Sequence, residues 1–151
     1  MRYATRTLAA ALVSTAATVT VAIFSAYRLA DAPVRGRIGG PDPIGSIASA
    51  AALLVGLVAF YRLGRSIDAP TPRPALLAGA IGGALAGVAS GGAQSAALAD
   101  YLGAVLAGYA VPAGFLAIAL AAYVFIATCV TTVVAAALTY AGWHRARRSV
   151  S

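Results

Sequence analysis

The sequence predicts an all-α fold, an integral membrane four-helix bundle with an additional short interfacial or re-entrant helix before the last span. Three observations lead there. Of 151 residues, 61% are hydrophobic and 10% charged, against roughly 25% charged in soluble domains. Four uncharged stretches reach the ~20 residues needed to cross a hydrocarbon core about 30 Å thick. The charges are eleven Arg and four Asp, with neither Lys nor Glu, and all of them fall outside those stretches.

The first stretch runs from Thr7 to Tyr27, the second from Pro43 to Tyr61 and the third from Pro74 to Ala99. From Tyr101 to Trp143 no charge occurs for 43 residues. At 1.5 Å per residue that run would make a helix of about 65 Å, twice the core thickness. It must therefore break. Pro112 is the natural place, since its ring removes a backbone donor and disfavours helix in the residue before it. The spans are thus expected at about 7–27, 44–63, 74–93 and 113–140, in a single transmembrane domain covering 1–151.

Between the third span and Pro112, Leu98, Tyr101, Leu102, Val105, Leu106 and Tyr109 recur on one helical face, with Asp100, Gly103, Ala104 and Ala107 opposite. This pattern predicts a separate amphipathic segment at about 94–110, lying in the interface or dipping into the bilayer. An acid such as Asp100 costs roughly 2.5–3.5 kcal/mol at the centre of a span, which argues against a fifth crossing.

Arginine placement predicts the orientation. With the N-terminus in the cytoplasm, Arg2, Arg6, Arg62, Arg65, Arg73, Arg145, Arg147 and Arg148 lie inside, and Arg28, Arg35 and Arg37 lie outside. Eight against three fits the positive-inside rule for a cell membrane protein with both termini cytoplasmic, whereas five spans would reverse the balance. Phe24 and Tyr27, Phe60 and Tyr61, and Tyr140 and Trp143 close three spans as an interfacial belt. The absence of Lys and Glu resembles chains from high-GC prokaryotic genomes. The loops are rich in Pro, Gly and Asp and read as turns.

Gly79, Gly83, Gly87 and Gly91 stand four apart in the third span, in a row that continues to Ala75, Ser95 and Ala99. Helices in lipid gain little from hydrophobic burial, so close approach through small residues is what makes them adhere. The row is a candidate glycine-zipper face for helix packing or oligomerisation, its partner another helix of this chain, a second copy or another membrane protein. Smaller faces occur elsewhere: Thr7, Ala11, Ser14, Thr18, Ala22 and Ser25 in the first span, Gly45, Ser49, Ala52 and Gly56 in the second, Thr128, Thr132, Ala135 and Thr139 in the fourth. Membrane hydroxyls of this kind are expected to bond back to a carbonyl one turn earlier.

No charged side chain lies within the four uncharged stretches, and the chain contains no HExxH, GxSxG, Walker loop or paired carboxylates. No catalytic residue, cofactor site or metal site is therefore assigned, and the chain reads as non-enzymatic. Cys129 and His144 are single residues of their kind, too few for a metal site of several ligands. Arginines confined to the ends of apolar runs do not form a nucleic-acid-binding face. The partner expected first is the lipid bilayer. Gln94 and Asp100 are the candidates for lining a pore or coupling transport, the alternative function for a small membrane subunit.

Overall fold

A computed structural model describes residues 2–30, 43–107, 109 and 112–148. Four helices make up the described chain: α1 (Arg2–Ala30), α2 (Pro43–Arg65), α3 (Arg73–Ala107) and α4 (Ala113–Arg148). All four are long and apolar enough to cross a membrane. The first loop, with Arg35 and Arg37, lies outside the described residues.

The helices form a ring in the order α1, α2, α4, α3. Each packs on its two neighbours, α2 and α3 touch lightly across one diagonal, and α1 and α4 do not meet among the described residues. Neighbours within a hairpin run antiparallel: Gly56 of α2 meets Ser14 of α1, whereas Phe60 and Thr7 come together at Gly82. Gly79 faces Ala135 and Ala136 of α4, whereas Gly91 faces Val124. The α1/α3 and α2/α4 pairs run parallel, with Thr7 against Gly82 and Tyr61 against Gly142.

The predicted amphipathic segment at 94–110 is not a separate element, because α3 continues unbroken to Ala107. The physical reason is local. Residues 94–107 contain no proline, and a helix that has started propagates until something removes a backbone bond. The side read as polar is also not turned outward at Gly103, where an added Cβ would lie 3.7 Å from Leu116 of α4. Ala99, Gly103 and Ala107 extend the row of small residues at the same spacing of four. The side chain of Asp100 lies outside the described residues.

The α2–α3 loop, residues 66–72, is fastened from both sides. Tyr3 Oη donates to Asp68 O at 2.7 Å and Arg6 Nη1 to Ser66 O at 2.7 Å from α1. Trp143 Nε1 donates to Ala69 O at 3.1 Å and Arg147 Nη1 to Pro70 O at 2.6 Å from α4. Loop carbonyls that no helix satisfies thereby obtain partners, as buried backbone groups require. Ile67 and Ala69 tuck into the core against Trp143. Both described chain ends and Arg6, Arg62, Arg65, Arg73, Arg145, Arg147 and Arg148 thus gather at one end of the bundle, called here the arginine end.

Candidate functional site

The row of small residues on α3 is covered by α4. A Cβ added at Gly79 would lie 2.7 Å from Ala135 O, at Gly83 2.7 Å from Thr131 O and at Gly87 2.6 Å from Thr128 Cα. Carbon atoms ordinarily approach to about 3.5–4.0 Å, so any side chain at these positions would force the helices apart. At Gly91 the nearest atom is 3.4 Å away, an ordinary contact. Gly79, Gly83 and Gly87 therefore face a helix of the same chain.

A second clamp joins α2 to α4 near the arginine end. A Cβ at Gly64 would collide with Thr139 O, and one at Gly142 with Tyr61 O. Thr139 is fully buried between them, its hydroxyl donating to Ala135 O at 2.7 Å and reaching Phe60 O at 3.3 Å. Sequence reasoning missed Gly64 and Gly142, since single glycines show no spacing of their own. Their signal is tertiary, in that Gly64 meets a backbone 75 positions away in the chain and Gly142 one 81 positions away.

Beside these clamps the ring opens around a cavity of about 250 Å³ lined by residues of all four helices. Phe60 and Leu138 close it toward the arginine end, while Ser14, Thr18, Ser90, Gln94 and Thr131 supply polar atoms to its wall. Most of those atoms are already engaged. Thr18 Oγ1 bonds to Ser14 O at 2.9 Å and Thr131 Oγ1 to Ala127 O at 2.7 Å, each one turn back along its own helix. Thr128 and Thr132 do the same. Two groups differ. The Tyr123 hydroxyl donates to the side-chain oxygen of Gln94, leaving the Gln94 amide nitrogen with no hydrogen bond among the described residues. The Ser14 hydroxyl makes none there either; it sits where a Cβ on Gly56 would approach to 2.8 Å.

The structure thus brings Gln94 to the cavity, with Gly91 beside it, and leaves Gly79, Gly83 and Gly87 in the α3–α4 contact. Asp100 follows Gln94 by six residues on the same helix, about 9 Å along the axis. Tyr123 was not singled out by sequence, because its link to Gln94 spans 29 positions between two helices. Among the described residues no three His, Cys, Asp or Glu side chains come together as a metal site would require.

At the arginine end, His144 is exposed and stacks on Tyr140, ring centroids 5.9 Å apart and nearly parallel at 9°. The Arg147 guanidinium sits 5.4 Å from the centre of the buried Trp143 ring. These contacts brace the end of α4. No protein family, curated protein or solved structure matches this chain.

Proposed function

We propose that this chain is a multi-pass protein of a prokaryotic cell membrane, non-enzymatic, with both termini in the cytoplasm, that works through helix packing. The observation that supports this reading most is the α3–α4 contact, in which Gly79, Gly83 and Gly87 admit no side chain. A glycine zipper of this kind, directed at a helix of its own chain, builds a rigid hairpin on which the α1–α2 hairpin rests. Association with itself or another membrane protein would then use the outer faces of the ring, such as the α4 side bearing Phe125 and Val133. The test is Gly83→Leu and Gly87→Leu in detergent. Loss of bundle stability is expected, and unchanged stability would remove the packing role.

The cavity favours a second reading, that of a small pore or transporter subunit with Gln94 and Asp100 along its path. Solute flux in liposomes addresses it directly. Flux no greater than in protein-free liposomes, and no change on Asp100→Asn, would exclude it.

A further inference from the structure

The cavity between the four helices does not open toward the arginine end. Phe60, 3% exposed, and Leu138 shut that side, and just beyond them the Gly64 and Gly142 contacts hold α2 against α4. Its rim instead includes Leu53 and Val130, which are 64% and 57% exposed on the outer surface of the ring. These two residues belong to α2 and α4, so the mouth lies in the gap where this clamped pair separates. A molecule entering there comes from the side, out of the bilayer.

The lining dictates the chemistry of that molecule. None of the lining residues carries a charge. The nearest arginine along α2 is Arg62, six residues and about 9 Å beyond Gly56 on the far side of Phe60, and Gln94 is 21 residues from Arg73, about 31 Å along α3. A phosphate or carboxylate head would therefore find no counter-ion and would pay its full desolvation cost. Two lining residues nevertheless carry donors with no hydrogen bond among the described residues, the Ser14 hydroxyl and the Gln94 amide. In a lipid surround a donor gains from any acceptor within reach, which the hydroxyl or carbonyl oxygen of an uncharged molecule in the cavity would supply. The remaining wall is alkyl and aromatic, supplied by Leu57, Phe60, Val134 and Leu138. A volume of about 250 Å³ lies just below the ~300–1,000 Å³ of small-molecule sites. It holds a head group and the first part of a tail, with the rest left in the gap.

We propose that this cavity is a lateral binding site for a neutral lipophile, an uncharged molecule with a hydroxyl or carbonyl head and an alkyl tail, whose head is held by Gln94 and Ser14 and whose tail leaves between Leu53 and Val130. The site rests on the membrane placement proposed above and holds whether or not the chain carries flux.

The experiment uses the full chain reconstituted in phosphatidylcholine vesicles. The probe is a long-chain alcohol bearing a diazirine next to its hydroxyl, compared with the phosphate ester of the same alcohol. Flotation of the protein with the vesicles is read first; failure to float overturns the membrane placement and the site with it. In floated protein, photolabelling by the alcohol is expected to concentrate on cavity segments of α2 and α4, to saturate, and to be competed by unlabelled diacylglycerol. The phosphate ester is expected to label only the outer faces. Gln94→Leu and the milder Ser14→Ala are each expected to lower cavity labelling roughly two- to tenfold, the worth of one hydrogen bond. Labelling spread evenly over the exposed faces, equal labelling by the charged ester, or undiminished labelling in both variants would show a cavity filled only by water and overturn the site.

Discussion

Gly87→Ala and Gly92→Ala are the same chemical change five residues apart on one helix, and the structure predicts different outcomes. A Cβ at Gly87 meets Thr128 Cα at 2.6 Å, while one at Gly92 meets nothing within 4 Å. Replacing helical glycine by alanine gains up to about 1 kcal/mol from backbone entropy at either site. At Gly87 the new methyl is about 1 Å short of a normal carbon contact, so α3 and α4 must part by that much. A gap of 0.5–1 Å forfeits a quarter to a half of each ~0.1–0.2 kcal/mol atom-pair attraction, and tens of pairs line the tight stretch. The sum is on the order of 1–3 kcal/mol, the usual range for overpacking. Gly92→Ala should therefore be more stable than the parent, and Gly87→Ala less stable than Gly92→Ala by about 1–3 kcal/mol. The assay is equilibrium unfolding of the purified chain from mild micelles by a rising fraction of denaturing detergent. Helical circular dichroism and the fluorescence of Trp143, the chain's single tryptophan, both report the transition. A difference between the two variants below about 0.5 kcal/mol would refute the close approach of α3 to α4.

Three further outcomes follow from the same geometry. Trp143→Phe keeps most of the buried ring but leaves the Ala69 carbonyl without its donor, so stability should fall by about 1–3 kcal/mol; added protease should then cut the 66–72 loop faster, and an unchanged digestion pattern would contradict the fastening. Thr139→Val removes a hydroxyl that reaches across to Phe60 O, at an expected cost of about 0.6 kcal/mol, whereas Thr20→Val, bonded only within its own helix, should unfold at the parent midpoint in the same titration. Cys129 lies exposed in the middle of α4; in sealed vesicles it should resist a membrane-impermeant maleimide and react after the vesicles are dissolved in denaturing detergent, and ready labelling in intact vesicles would place α4 in water.

Four long helices were legible because their signal is one-dimensional: uncharged runs of sufficient length, closed by Arg62, Arg65 and Arg73 and by Arg145, Arg147 and Arg148. The small-residue row was legible for the same reason. Its end was misplaced, since Leu98, Leu102 and Val105 imitate the apolar face of a separate amphipathic helix. Gly103 and Ala107 carried the contrary signal by keeping the four-residue step begun at Ala75. The cavity was not legible. Ser14, Gly56, Gln94 and Tyr123 come from four different helices, and which of them face one another depends on the order of the ring. Gly64 and Gly142 were hidden likewise, because a lone glycine reads as chance until the backbone it touches is known.

The tight contact and the cavity have a common origin in helix geometry. An α-helix turns about 100° per residue, so residues four apart advance about 40° around the axis. A row with a strict step of four therefore winds slowly off any straight line. A partner helix can follow it closely for only a few steps. The clearance an added Cβ would find tracks this drift, from 2.7 Å at Gly79 and Gly83 and 2.6 Å at Gly87 to 3.4 Å at Gly91 and 3.7 Å at Gly103. The relaxation begins at Gly91, which with Gln94 and Ala127 lines one part of the cavity, while Thr131, Ala135 and Leu138 carry the lining on alongside the tight stretch. Nearer the arginine end, Gly64 and Gly142 lock α2 to α4, and the fastened loop ties α1 to both. A bundle closed at one end and released by pitch mismatch toward the other must contain a widening between its helices. In this chain the widening coincides with the unpartnered Ser14 hydroxyl and Gln94 amide, which gives the position of the cavity a structural cause independent of any ligand.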